Sequence, residues 1–338
     1  MNISIEARTL HFKQPAGTSR GVYTQRKIWL VEIEENGRRG IGECAPLPDL
    51  SCDVSADYEA VLRGFCDRLE QTNAIDYEAL RPYPSMLFGI ETALKSLQND
   101  LIFDTPFARG EEGIPINGLV WMGTFEEMQA RIEEKLEAGF GCVKLKIGAI
   151  DFEQELSLIR QIRRRFTKAE VELRVDANGA FRPEAALDRI KLLAGLDIHS
   201  IEQPIRQGQW PAMARLCRET PLPIALDEEL IGGSSLAEKA CLLDTIRPQY
   251  LVLKPSLHGG MHGCREWIAL ARQRNIGTWL TSALESNIGL NAIAQFCSDV
   301  YGRDIRFPQG LGTGRLFTDN IPMPLEIRGD RLWICRRS

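Results

Sequence analysis

From residue 114 onward the chain alternates between two hydrophobic patterns. Short runs rich in β-branched and aliphatic residues are each followed by a stretch in which apolar side chains recur every three or four positions. The runs are Ile114–Val120, Cys142–Ile147, Val171–Val175, Ser200–Ile201, Ile224–Leu226, Tyr250–Leu253, Thr278–Leu280 and Ile305–Phe307. Between them, Phe152, Leu156, Ile159, Ile162 and Phe166 line one helical face, and Pro183 opens a helix carrying Ala186, Leu187, Ile190 and Leu193. Period 2 or a short apolar run marks a strand, and period 3.6 marks a helix. Strands that alternate with helices in this way predict an α/β fold of the (β/α)8-barrel type.

The N-terminal region has a different pattern. Residues 27–34 alternate around Ile28, Leu30, Val31 and Ile33, and Asn36-Gly37 leads into a strand through Ile41 to Glu43. Asn-Gly between two such runs is a hairpin signal, because both residues tolerate positive φ. Met86, Ile90, Ala93, Leu94 and Leu97 form one helical stripe behind Pro84. This region reads as an α+β capping domain, residues 1–110, set on a catalytic barrel, residues 111–315. The tail, 316–338, alternates around Leu325, Ile327, Leu332 and Ile334 and is expected to return to the capping domain.

Charge and composition narrow the partners. The 41 Lys and Arg against 46 Asp and Glu give a net charge of -5, which argues against a nucleic-acid-binding surface. No apolar run reaches the roughly 20 residues that span a bilayer, and Met1–Gln14 lacks the pattern of a signal peptide. Nine scattered cysteines form no CxxC pair. These features predict a cytoplasmic protein with a small-molecule substrate and neither nucleic acid nor membrane as partner. Assembly into a homo-oligomer stays open.

Chemistry enters with the charged residues that close successive strands. Lys144 and Lys146 lie on the second run, Asp176 closes the third, Glu202 the fourth, Asp227 the fifth and Lys254 the sixth. Each lies about one βα unit from the last, so all are delivered to one rim of a barrel. Burying single charges there has no packing benefit and a large desolvation cost. A hard cation such as Mg²⁺, or Mn²⁺ in its place, resolves the repulsion of three carboxylates, so Asp176, Glu202 and Asp227 are candidate ligands. A cation between two lysines suits removal of a proton from carbon beside a carboxylate, where charge builds up on the carboxylate oxygens. Lys146 is the candidate base. Lys144, on the same strand face, is a positive neighbour of the kind that disfavours a second ammonium. Asn178 and Glu228 are candidate supporting residues, whereas Glu229 reads as a solvated carboxylate.

The ordered set Lys144-Leu145-Lys146, Asp176-Ala177-Asn178, Glu202-Gln203-Pro204, Asp227-Glu228 and Lys254-Pro255-Ser256 resembles the enolase superfamily, in its muconate-lactonising-type subgroup. Glu43-Cys44-Ala45-Pro46-Leu47 and Phe88-Gly89-Ile90-Glu91 extend the likeness to the N-terminal region. The resemblance implies a metal-dependent enzyme acting on a small carboxylate. Lys254 would stay protonated on the face opposite Lys146 and stabilise the enediolate. Asn117-Gly118-Leu119-Val120, Ser282-Ala283-Leu284-Glu285-Ser286 and the segment Gln309–Phe317 resemble the subgroup's dehydratases of menaquinone biosynthesis, which aromatise a hydroxycyclohexadiene carboxylate. Dipeptide epimerases and N-acylamino acid racemases share the same lysines and are the alternative, and an inactive barrel scaffold is a third. Substrate contacts are expected from Arg20 in a mobile capping loop, from Asn117, from Ser282, and from the backbone of Gly259 and Gly260. Ser282 could equally cap the next helix.

Overall fold

The computed structural model describes residues 1–18, 21–98, 101–303 and 305–335. Strands β1 (Asn2–Thr18), β2 (Gly21–Glu35) and β3 (Arg38–Cys44) form an antiparallel sheet. The turn between β2 and β3 holds Asn36 at φ 51° and Gly37 at φ 77°, the positive values its sequence predicts. Helices α1 (Tyr58–Thr72), α2 (Tyr77–Leu80) and α3 (Pro84–Gln98) follow. The stripe of Met86, Ile90, Ala93 and Leu97 packs into a core with Trp29, Val31 and Ile33 of β2. Backbones approach closely here. A Cβ on Gly42 of β3 would lie 1.9 Å from the Gly89 carbonyl of α3, so the strand can seat on the helix only with glycine at this position.

Beyond this cap, seven parallel strands run in sequence order, each followed by a helix: β5 (Gly118–Val120) and α4 (Phe125–Glu137), β6 (Cys142–Lys146) and α5 (Phe152–Arg165), β7 (Glu172–Asp176) and α6 (Pro183–Ala194), β8 (Ser200–Glu202) and α7 (Trp210–Glu219). The series continues with β9 (Ile224–Leu226) and α8 (Leu236–Ile246), β10 (Tyr250–Leu253) and α9 (Gly260–Gln273), and β11 (Gly277–Leu280) and α10 (Asn287–Tyr301). Local signals start these helices. Thr124 with Glu127 and Ser235 with Glu238 form capping boxes, and Asp151 caps α5.

Two details differ from the pattern read in the sequence. Ile114–Val120 is not one strand: β4 (Ile114–Pro115) pairs with a C-terminal hairpin, and only β5 joins the curled sheet. The closing strand is not Ile305–Phe307. Two residues, Gln309 and Gly310, join the sheet's two edges, bonding to Pro115 and Asn117 on one side and to Leu280 and Ser282 on the other. The Gln309 side chain explains how so little chain suffices. Its Oε1 accepts from Leu280 N at 2.7 Å and its Nε2 donates to the Phe307 carbonyl at 2.6 Å, supplying bonds a longer strand would have made. Phe307 instead packs its ring against Tyr250 and Trp279.

The chain then passes back over the cap. Leu316 and Thr318 bond to Lys13 and His11 of β1, and the Phe12 and Phe317 rings pack in a tilted pair with centroids 4.5 Å apart. The hairpin β12 (Leu325–Arg328) and β13 (Arg331–Ile334) ends on β4. Among the described residues no helix is long and apolar enough to cross a membrane.

Two buried cap carboxylates fasten the cap to the rim. Glu43 accepts from Ser286 N at 2.8 Å, Ser286 Oγ at 2.5 Å and Gly289 N at 2.8 Å, at the start of α10. Glu91 accepts from Met261 N at 2.6 Å and His262 N at 3.0 Å, at the start of α9. The first N–H groups of a helix lack intrahelical partners and carry partial positive charge, so each carboxylate meets a complementary site. Burial pushes Glu91 up to about 8 against the pull of those backbone donors. Replacing Glu43 by Ala leaves three buried donors unpaired and should lower stability by about 2–4 kcal/mol. A urea-unfolding midpoint unchanged from the parent protein would refute this account.

Candidate active site

The parallel register sets the charged strand ends side by side: Lys146 stands opposite Asp176, and Asp176 opposite Glu202. Asp227 follows β9 and Lys254 follows β10, on the same rim. Every one of these side chains, with Lys144 and Glu228, is buried or nearly so. Lys146 Nζ donates to Asp176 Oδ2 at 3.0 Å and to Asn178 Oδ1 at 2.7 Å. Lys144 Nζ donates to Glu202 Oε2 at 2.9 Å and lies 3.6 Å from Asp176 Oδ2. Lys254 Nζ donates to Asp227 Oδ2 at 2.5 Å. Asn178 Nδ2 donates to Glu228 Oε1 at 2.9 Å, which links Lys146 to the far side of the rim.

Burial and neighbouring charge compete in these groups. Burial raises Asp176, but Lys146, Lys144 and Lys254 outweigh it and bring the carboxyl to about 2. Glu202 goes the other way, to about 8, because burial and the Asp176 charge exceed the help from Lys144. Burial and Asp227 push Glu228 up to about 7. Burial lowers Lys254, yet Asp227, Glu228 and Glu202 outweigh it and hold the ammonium well above its ordinary value. For Lys144, too, Glu202 and Asp176 overcome burial and raise its value. Its ammonium therefore serves the carboxylates directly.

Among the described residues no three His, Cys, Asp or Glu side chains converge closely enough to enclose an ion, and Asp176, Glu202 and Asp227 are each engaged by a lysine. Their chemistry still fits a hard cation. Glu202 Oε1, Asp227 Oδ1 and Glu228 Oε2 are buried and have no hydrogen-bond partner. Three orphaned carboxylate oxygens at neighbouring strand ends are donors left over for an oxygen-seeking ion.

A cavity of about 540 Å³ opens above this rim, with Lys146, Asp176, Asn178 and Lys254 in its wall and Leu47 and Leu50 of the cap across from them. Asn117 and Ser282 line it as well. Ser282 Oγ is 2.6 Å from Thr313 Oγ1, and Ser286 caps α10, so Ser282 is not a helix cap. Gly259 and Gly260 are not in the wall of this cavity. They lie at the start of α9, where Glu91 already takes the N–H groups of Met261 and His262, so the position offered to an anionic tail holds a carboxylate of the protein itself. Arg20 lies outside the described residues. Glu229 is not solvated: it is buried, and its two oxygens accept from Gly208 N and Gln203 Nε2.

Two contributors carry no motif signal. The Trp121 ring lies 5.8 Å from Lys146 Nζ, within cation–π range. Its position directly after the first barrel strand was the available clue. His258 accepts from Lys254 N through Nδ1 at 2.9 Å, which pins the backbone of that lysine. Burial drives its imidazole down to about 3, so it is a neutral brace.

Residues 127–332 match the family described as Enolase C-terminal domain-like, and residues 18–97 match the MenC N-terminal domain. With that fold and rim in place, the chain belongs to the enolase superfamily, in its muconate-lactonising-type subgroup. It is 45% identical over 368 aligned positions, 99% of both chains, to the o-succinylbenzoate synthase of Desulfotalea psychrophila. The crystal structure of MenC from that organism superposes with a TM-score of 0.83 at 41% identity, covering 99% of each chain. An L-Ala-D/L-Glu epimerase of Bacillus subtilis is 31% identical over 51% of this chain and 47% of its own. The substrate-liganded structure of that epimerase has the same fold, with a TM-score of 0.83 at 22% identity over 99% and 96% of the two chains.

The raised Glu228 carboxyl has a consequence for stability. A carboxyl whose folded-state value lies above its unfolded one favours folding below about 4.5 and loses that contribution as pH rises through about 7. In EDTA, the protein should lose stability between about pH 5 and pH 8.5, and Glu228→Gln should lose less, by on the order of 2 kcal/mol. An equal loss in both proteins, measured by urea titration at the two pH values, would show that Glu228 bears no such burden.

Proposed function

We propose that the protein is an o-succinylbenzoate synthase, which dehydrates 2-succinyl-6-hydroxy-2,4-cyclohexadiene-1-carboxylate to 2-succinylbenzoate in the reducing environment of the cytoplasm. The observation that carries this reading is the placement of Lys146 and Lys254 on either side of Asp176, Glu202 and Asp227 at one rim, in a chain related over its whole length to such a synthase.

Removing a proton α to a carboxylate requires a base near that carbon and positive charge near the carboxylate oxygens. Lys146 is the base. Asp176 Oδ2 and Asn178 Oδ1 hold its amine in the cavity wall and fix its direction. Asp176, Glu202 and Asp227 would hold a divalent cation, Mg²⁺ or Mn²⁺, which supplies Lewis-acid stabilisation of the charge that builds on the carboxylate. Lys254, kept protonated by Asp227, adds a fixed positive charge from the other face. After taking the α-proton, Lys146 is an ammonium on the same face as the departing hydroxyl. It returns that proton to the hydroxyl oxygen, the C–O bond breaks, water leaves and the ring becomes aromatic. Lys146 ends neutral, so the reaction needs no second acid. Leu47, Leu50 and Trp121 in the cavity wall give the ring an apolar seat.

The test is steady-state dehydration of the cyclohexadiene substrate with Mg²⁺, repeated in EDTA and with K146A. Turnover should fall by about 10³-fold or more in the variant, and chelation should abolish it. No dehydration by folded, metal-supplemented protein would reject the reading. Exchange of the α-protons of both stereoisomers of a dipeptide in deuterated water would then identify an epimerase, the activity of the Bacillus subtilis relative.

A further inference from the structure

Gln203 directly follows Glu202 and is wholly buried, yet its φ of 37° lies in the region that non-glycine residues rarely adopt. Its four side-chain bonds account for this. Oε1 accepts from Asp227 N at 3.2 Å and from Glu229 N at 3.3 Å. Nε2 donates to the Ile205 carbonyl at 3.0 Å and to Glu229 Oε2 at 3.3 Å. The other Glu229 oxygen accepts from Gly208 N at 2.8 Å. The Gln203 main chain adds two links, its carbonyl accepting from Gly179 N at 2.6 Å and its N–H donating to the Ala225 carbonyl at 2.9 Å.

One residue thus joins three segments. Gly179 belongs to the turn behind Asp176 and Asn178, Gln203 itself extends the strand of Glu202, and residues 227–229 carry Asp227 and Glu228. Asp227 is the segment most in need of restraint. Its φ of -128° and ψ of -80° lie outside the regular helical and extended regions, and its N–H is held by Gln203. Neither Gln203 nor Glu229 lines the cavity, and neither bonds to a lysine.

We infer that Gln203 and Glu229 are positioning residues that set the spacing of the Asp176, Glu202 and Asp227 carboxylates, and with it the affinity of the rim for a divalent cation. This rests on the reading that those three carboxylates hold the cation. Only an amide can fill the place of Gln203, because two N–H groups must be accepted while a carbonyl and a carboxylate receive donors. A carboxylate at 203 would set its second oxygen against Ile205 O and Glu229. A Q203E/E229Q double variant reverses the pair. The carboxylate introduced at 203 accepts from both backbone N–H groups and from the new amide at 229, whose own oxygen still accepts from Gly208. The remaining defect is at the Ile205 carbonyl, which loses its donor and faces a carboxylate oxygen instead.

The test is Mn²⁺ binding to the full-length protein, with free Mn²⁺ read by electron paramagnetic resonance. Thermal unfolding is followed in parallel. Partners one layer behind metal ligands typically tune affinity by about 10–100-fold. Q203E should weaken Mn²⁺ binding by that range, E229Q by about 10-fold, and the double variant should recover most of the loss. Asp176→Asn serves as the control for the underlying reading. If it leaves Mn²⁺ affinity intact, the carboxylate trio is not the cation site and the inference falls with it. If Asp176→Asn weakens binding but Q203E and E229Q bind within twofold of the parent, the brace alone is refuted. Should Q203E not fold, E229Q and the double variant still decide: no loss in the first, or no recovery in the second, overturns the proposal.

Discussion

Four carboxylates, those of Asp176, Glu202, Asp227 and Glu228, are buried at one rim, and the protein can keep them there only because Lys144, Lys146 and Lys254 stand among them. Isolated, each buried charge would cost several kcal/mol. Here the lysines of β6 and β10 flank the carboxylates of the three strands between them and pair with Asp176, Glu202 and Asp227. The carboxyl groups outnumber the lysines, and the imbalance emerges in the raised carboxyls of Glu202 and Glu228 and in their unpartnered oxygens. The arrangement is poor for stability and suited to chemistry. Carboxylate oxygens left without partners are prepared for a cation, and Lys146 and the Lys254 ammonium both line the cavity where an organic anion would lie.

Everything around the rim keeps those charges in register. Parallel pairing aligns Lys146, Asp176 and Glu202. His258 fixes the backbone of Lys254, Gln203 fixes that of Asp227, and Asn178 links Lys146 to Glu228. The cap serves the same end from above. By seating Glu43 and Glu91 on the starts of two barrel helices, it brings Leu47 and Leu50 over the cavity at a fixed height.

The charged rim was legible in the sequence because barrel topology turns an even spacing of strand ends into a common edge. Lys146, Asp176, Glu202, Asp227 and Lys254 needed no packing information to be found. The helix stripe of α3 and the Asn36-Gly37 turn were legible for a similar reason, as local periodicity and local φ preference decide both. What stayed hidden depends on distant partners. Gln309 closes the sheet through its side chain, so no β-rich run announces the closing strand. Glu229 looks like any acidic residue after a strand until Gly208 and Gln203 are brought to it by a neighbouring loop. Gly259-Gly260 has the sequence of an anion site, and only the fold reveals that Glu91 fills it.

Those two cap carboxylates also bear on how the chain is made. Glu91 meets His262 and Glu43 meets Gly289 across most of the sequence, so the donors they satisfy are translated long after them. During synthesis the N-terminal sheet and helices emerge with both carboxyl groups in water, while α9 and α10 form with exposed ends until the cap reaches them. Contacts of such long range are slow to close and arrive late. The docking that brings the apolar residues of the cap over the cavity therefore waits on the synthesis of α9 and α10, and a chain halted before α10 would lack a finished pocket as well as a finished barrel.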